Sequence, residues 1–174
     1  MNKIIVIGCP GSGKTTFAKK LEKLTRIPLY HLDSIWHKPD KTNISREEFD
    51  ERLGGILSGE SWIIDGNYGR TLERRIAAAD TVFLFDLPTE VCIEGVMSRI
   101  GKARDDLPWR ETELDPEFLA QIENFKEKEL PRILRLVDNY SGDRQVVVFD
   151  SREAADNLLI KMGYSNISDC EDKR

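Results

Sequence analysis

Cysteine and histidine are scarce in this chain, and the few there are do not cluster. Cys9, Cys92 and Cys170 are scattered and odd in number. They have neither the spacing of a zinc site nor the even count of a disulfide framework, so a reducing compartment, the cytoplasm, is the expected location. His31 and His37 are the only histidines, and their i, i+6 spacing is not a familiar ligand spacing. Long apolar runs are also missing. None approaches the roughly 20 residues needed to cross a bilayer. The run from Ile4 to Ile7 is short and passes straight into glycines, unlike a signal peptide, so no membrane role is expected. Basic residues are not in excess: 26 Lys and Arg stand against 31 Asp and Glu, a net charge of −5. Phosphate contacts dominate affinity for nucleic acid, so a nucleic-acid partner is not expected.

What remains is an ordinary globular composition in 174 residues, the size of a single domain spanning 1–174. Such a length buries a core without disulfides or metals. The pattern alternates strand and helix, which points to a parallel sheet covered on both faces. Strands are expected at 4–7, 28–33, 62–65, 81–86 and 145–150. The first is a β-branched run that stops at Gly8. Helices are expected at 14–24, 45–57, 71–79, from 88 onward, 116–139 and 151–162. Ser45 and Glu48 have the form of a capping box, while Gly54-Gly55 weakens the end of that helix. Thr89 is the expected N-cap of the helix after the fourth strand. Phe118, Ile122, Phe125, Ile133 and Val137 form the stripe of the long helix, which Pro131 should kink or divide. Gly163 stops the last helix, and the polar tail from Ser165 is expected to fray.

Gly8-Cys9-Pro10-Gly11-Ser12-Gly13-Lys14-Thr15 fits the pattern G-x-x-x-x-G-K-[ST]. Glycines let successive N–H groups point into one concavity that holds phosphate oxygens. The positive end of the following helix adds to the attraction. Lys14 brings a point charge to the β- and γ-phosphates, and the Thr15 hydroxyl is a hard oxygen ligand for Mg2+. The loop lies between an expected strand and an expected helix, which is the arrangement this motif requires. ATP is thus expected on Gly8, Pro10, Gly11, Ser12, Gly13, Lys14, Thr15 and Thr16. Such a site also needs a carboxylate at a neighbouring strand end. By pattern alone, Asp65 and Asp86 both qualify.

Ile64-Asp65-Gly66-Asn67-Tyr68-Gly69-Arg70-Thr71 resembles the Asp-Gly-Phe-Pro-Arg strand end of adenylate kinases and related monophosphate kinases. That resemblance implies Asp65 as the residue beside the metal and Arg70 as a phosphate contact. It is inexact, since Asn67-Tyr68-Gly69 replaces Phe-Pro and adds one residue. A narrower resemblance spans most of the chain. His31-Leu32-Asp33, Trp36-His37-Lys38-Pro39 and Trp62-Ile63-Ile64-Asp65-Gly66-Asn67-Tyr68 are similar to the DNA topology modulation proteins, an adenylate-kinase-like P-loop group. It implies a three-layer α/β P-loop NTPase fold, with a five-stranded parallel sheet of order 2-3-1-4-5 and helices on both faces.

Asp33 follows the second strand, where the acceptor pocket of this fold lies. There a carboxylate takes the proton of an attacking hydroxyl, or it is simply a turn residue, since Asp-Ser favours turns. Chains resembling shikimate and gluconate kinases also carry an Asp there. Trp36, in a polar segment, joins Asp33 and Arg70 as a candidate acceptor contact, within an acceptor region of about 31–58. Val96-Met97-Ser98-Arg99-Ile100-Gly101-Lys102 resembles the helix end that enters the lid of adenylate kinases. That implies a short lid at about 99–115, with Arg99 on the adenine and Lys102 and Arg104 as phosphoryl-neutralising cations. A solvated charged loop is the other reading of this segment. The sequence thus points to Mg2+- and ATP-dependent phosphoryl transfer to a small molecule, a nucleoside monophosphate or a hydroxyl-bearing metabolite. The alternative is a nucleotide-binding regulator or slow ATPase linked to DNA topology. Asn-Lys-x-Asp, the guanine-reading motif, is absent, which counts against a GTPase.

Overall fold

Ile4, Ile5, Val6 and Ile7 are wholly buried and form the central strand β1 (Lys3–Gly8). The computed structural model describes residues 1–164 other than 105, 141 and 143. β3 (Trp62–Asp65) and β4 (Thr81–Phe85) flank β1, and β2 (Leu29–His31) and β5 (Gln145–Phe149) lie outermost. The order is β2-β3-β1-β4-β5, and every pairing is parallel. This is the α/β architecture and strand order expected from the sequence.

Phe17 of α1 (Lys14–Thr25) meets Phe83 and Phe85 edge-on, with ring centroids 5.0 and 5.5 Å away. Side chains alternate across a strand, so Val82 and Leu84 point to the other face. They are equally buried, which means both faces are covered. That is why β1, β3 and β4 are apolar at nearly every position. β1 is the switch point: the chain leaves it for β2 and β3 on one side and for β4 and β5 on the other. The crevice at its carboxyl edge is where such sheets bind ligands.

Several local expectations change. β2 stops at His31, and Leu32–Trp36 forms a short helix, α2, with Asp33 in its first turn. A carboxylate is stabilised there by the exposed N–H groups. Ser45 caps α3 (Arg46–Leu57), its Oγ accepting from Glu48 N at 3.1 Å. The Glu48 carboxylate turns instead to Arg52, so only half the capping box forms. Helix α4 (Gly69–Ala78) begins two residues before its expected start at 71. Thr89 is not a cap. Pro88 holds the extended cap position of α5 (Thr89–Met97) and makes no side-chain cap bond.

The long helix is divided into α6 (Pro116–Glu123), a π turn (Phe125–Glu129) and α7 (Leu130–Asn139). Pro131 has no N–H to donate, and the wider hydrogen-bond spacing lies immediately before it. Ile122, Phe125, Ile133 and Val137 are buried as expected. Ser151 Oγ accepts from Ala154 N and caps α8 (Arg152–Lys161). The tail from Ser165, with Cys170, lies outside the described residues.

Candidate functional site

After Gly8 the chain turns back over the carboxyl edge of the sheet to begin α1. Lys14 is buried, and its Nζ donates to the Cys9 carbonyl at 2.7 Å. Burial lowers its pKa, and the nearby Asp65 charge opposes that shift. Helix α5 packs directly on the loop. A Cβ on Gly11 (φ +78°) would lie 2.0 Å from the Cys92 carbonyl oxygen, and one on Gly95 would lie 2.1 Å from the Gly11 oxygen. Only glycine permits this approach at either position. Arg152 braces the other side, donating to Gly11 O at 2.8 Å and Val91 O at 3.0 Å. Within the loop, Ser12 N–H donates to the Cys9 carbonyl at 3.3 Å, which closes the turn.

Asp65 ends β3 beside this loop. Its Oδ2 accepts from the Thr15 hydroxyl at 2.7 Å and lies 3.1 Å from His31 Nδ1. Its Oδ1 is buried and has no hydrogen-bond partner among the described residues. A buried carboxylate oxygen without a donor, next to a threonine hydroxyl, is a hard-oxygen donor set that fits Mg2+ or a water on it. Ser12 Oγ is likewise buried, with no hydrogen-bond partner among the described residues. Asp86, the other strand-end candidate, does not line the crevice and pairs with Lys126 at 3.3 Å. His37 stands apart from His31, against Asn43 and the Trp109 ring.

The segment after Asp65 is held from two directions. The Asn67 amide clasps Gly8, accepting from its N–H at 2.9 Å and donating to its carbonyl at 2.6 Å. Arg75, on α4, has no exposed surface. Its guanidinium donates to the carbonyls of Gly66, Asn67 and Tyr68 at 2.7, 2.6 and 3.1 Å. Burial pushes its pKa down to about 9, against the favourable charge of Asp65. The loop is thus drawn towards the core by an arginine that has no carboxylate partner among the described residues.

A cavity of about 960 Å³ opens over these groups. Its lining includes Lys14, Thr15, Thr16 and Asp65 together with Asp33 and Tyr68. Tyr68 Oη donates to Asp33 Oδ1 at 2.8 Å. Burial raises the pKa of Asp33, and the Tyr68 bond works against that shift. Trp36 does not line the cavity. It lies edge-on to Phe49 and Tyr68, at 5.5 and 6.3 Å, in an aromatic cluster behind them. Arg70 also lies outside, in a two-point ion pair with Asp50 at 2.7 Å per bond.

The segment after α5 covers part of the cavity. Arg99 and Arg104 both line it. Arg104 pairs with Asp106 and Glu111, and Arg99 lies 3.4 Å from Glu111 and over the Phe118 ring. Lys102 is exposed and does not line the cavity. Ser34 Oγ donates to the Asp106 carbonyl at 3.0 Å, tying this segment to α2. The facing wall, from α6 and the π turn, contributes Phe118, Gln121, Asn124 and Lys128.

Sequence reasoning did not single out Arg75, Asp106 or Asn67. For Asn67 a signal existed, since it lies in the quoted strand-end motif. Arg75 sits on a helix rich in arginine, and nothing in the sequence separates it from Arg70 and Arg74.

No protein-family model matches the chain. A shikimate kinase of Flavobacterium johnsoniae is 41% identical over 56 residues, which is 32% of this chain. The match spans 31% of the length of that relative. A sugar kinase from a Janibacter species, solved without ligand, aligns at 19% identity and a TM-score of 0.49. That alignment covers 91% of this chain and 90% of the sugar kinase.

Proposed function

We propose that the protein is a small-molecule kinase that transfers a phosphoryl group from ATP to a hydroxyl. The observation carrying this reading is that one cavity holds both halves of the chemistry. The loop with Lys14 and the Thr15–Asp65 pair line it, and so does the partly buried carboxylate of Asp33. The stretch of identity with a shikimate kinase supports phosphoryl transfer to a small molecule.

In this reading the amides from Gly13 to Thr16, at the turn into α1, receive the phosphates. Lys14 neutralises them, and loses its hydrogen bond to the Cys9 carbonyl in doing so. Thr15 and Asp65 would hold Mg2+, which when bound supplies charge neutralisation between the phosphates. Arg99 and Arg104 approach the transferred group from the lid side, 99–115. To do so they exchange Glu111 and Asp106 for phosphate oxygens. Asp33 accepts the proton of the acceptor hydroxyl.

The acceptor end favours a hydroxyl over a phosphate. A nucleoside monophosphate is already an anion and needs no proton acceptor, whereas the Asp33 carboxylate lines this cavity. Arg70, the one arginine that resemblance would assign to an acceptor phosphate, is committed to Asp50 outside the cavity. The resemblance to DNA topology modulation proteins is compatible with this chemistry and adds no acceptor.

The test is ATP consumption with Mg2+ across nucleoside monophosphates, nucleosides, sugars and hydroxy acids. One hydroxyl acceptor should raise turnover well above the water background. If a monophosphate does so instead, the hydroxyl assignment is wrong. If ATP binds and no acceptor accelerates its use, the regulator or slow-ATPase reading replaces this one.

A further inference from the structure

Tyr68 has an unusual backbone for its type, with φ +21° and ψ 74°. A bulky residue at positive φ carries strain that its surroundings must offset. Here the surroundings are specific. Arg75 holds the carbonyls of Gly66, Asn67 and Tyr68 itself. Phe49 stacks on the Tyr68 ring at 5.3 Å with 22° between planes, and Trp36 closes its edge. The phenol is left with one direction, and along it Oη donates to Asp33 Oδ1 at 2.8 Å. A wholly buried arginine and two aromatic rings thus fix one hydroxyl on one carboxylate oxygen.

We infer that Tyr68 is a positioning residue: its hydroxyl occupies Asp33 Oδ1, so that Oδ2 alone is presented to the acceptor hydroxyl as the proton-accepting oxygen. This rests on the kinase reading above. The bond can serve this role throughout the working pH range, because burial and the Asp33 charge push the phenol pKa upward and keep Tyr68 a donor. The bond also favours the ionised carboxylate, which burial and the charges of Asp65 and Asp106 disfavour. His37, Lys14 and Arg99 act on Asp33 from the remaining sides and favour its charge. In the transfer step the acceptor O–H bond breaks as the new O–P bond forms. The proton passes to Asp33 Oδ2, and ADP leaves with the electrons of the broken O–P bond.

The role is tested on Tyr68→Phe, which keeps the ring in its stack and removes only the hydroxyl. The aspartate carboxyls of the uniformly 13C-labelled full chain are titrated by NMR, with Asp33→Asn identifying the Asp33 signal. Asp33 is expected to titrate above the ordinary carboxylate range in the unaltered protein, and higher still in Tyr68→Phe. With the best acceptor from the panel, kcat should fall roughly tenfold in Tyr68→Phe with KM little changed. The acid limb of the pH profile should move up with the Asp33 midpoint. An Asp33 midpoint identical in the two proteins overturns the proposal while leaving the kinase intact. Failure of the kinase reading looks different: no acceptor raises turnover even in the unaltered protein, and the inference falls with it.

Discussion

The Thr15 hydroxyl donates to Asp65 Oδ2 at 2.7 Å, which joins the first turn of α1 to the end of β3. The other carboxylate oxygen is buried without a donor among the described residues. An ionised group in that state is costly unless a cation or water completes its shell. Asp65→Asn keeps the shape and removes the charge. In the kinase reading it should abolish the gain in ATP affinity that Mg2+ gives the unaltered protein. Turnover should fall on the order of 10²-fold, the range for losing one fixed electrostatic element. Calorimetric titration of ATP with and without Mg2+ checks the first point. An undiminished Mg2+ effect in Asp65→Asn would remove Asp65 from the metal.

The central strand and the glycine turn after it were legible in the sequence because both rest on local signals, while the strand order came through resemblance. A β-branched run ending in spaced glycines allows little but a buried strand and a tight turn. The pairing of Asp65 with Thr15 was legible only through resemblance, since pattern alone left Asp86 in play. The side-chain contacts decide it: Thr15 donates to Asp65, while Asp86 pairs with Lys126 outside the cavity lining. What stayed hidden was the use of the arginines. Arg70 and Arg75 lie on the same helix, and only its packing turns one outward to Asp50 and buries the other under residues 66–68. A one-dimensional pattern carries no record of that rotation. Trp36 was hidden for a related reason, as its polar neighbours conceal the aromatic cluster it joins.

Lys14 offers a clean separation of stability from binding. Burial lowers its pKa, so between its folded and unfolded values the unfolded chain holds the extra proton. Stability from this group therefore rises with pH through that window and is diminished below it. Lys14→Met removes the buried charge and should leave Tm unchanged or higher near neutral pH. The rise in Tm that ATP gives the unaltered protein should vanish. Thermal melts with and without nucleotide read both effects.

Two glycines should respond in opposite directions to alanine. Gly55 lies in α3, and a Cβ there meets nothing within 4 Å. Gly55→Ala should stabilise by roughly 0.5–1 kcal/mol through helix propensity and a less flexible unfolded chain. Gly11→Ala would drive a Cβ into the Cys92 carbonyl at 2.0 Å and strain a φ of +78°. It should displace α5 from the loop, lower Tm and eliminate nucleotide binding. Chemical denaturation and an ATP titration on the two variants compare them directly.

Arg75→Met takes the donor from the Gly66 and Asn67 carbonyls in a partly buried loop, while the Tyr68 carbonyl keeps its bond from Thr71. Each orphaned acceptor costs about 1–3 kcal/mol unless water reaches it. A net loss of roughly 3 kcal/mol is expected, or about 6–12 °C in Tm for a chain of this size. Arg70→Met, by contrast, breaks only an exposed, solvent-screened pair with Asp50 and should leave Tm nearly unchanged. Equal losses for the two would mean that the buried arginine does not hold the loop.

Asp33 should show that the fold carries this carboxylate at its own expense. Burial raises its pKa, with the negative charges of Asp65 and Asp106 adding to the shift and Tyr68 opposing it. In the window between its unfolded and folded pKa values the native state holds the extra proton. Stability therefore falls as pH rises through that window, and the deficit is complete above the folded pKa. Asp33→Asn removes the charge and still offers an oxygen to the Tyr68 hydroxyl. It should raise Tm at neutral pH, and the difference should shrink as pH is lowered below the unfolded value. The same change should cut acceptor-dependent turnover by about 10²–10⁴-fold, the usual contribution of a general base. Melts across pH and a turnover assay on one preparation test both halves. A variant that is more stable and inactive fits a residue kept for chemistry; one that is less stable and active would make Asp33 a structural turn residue.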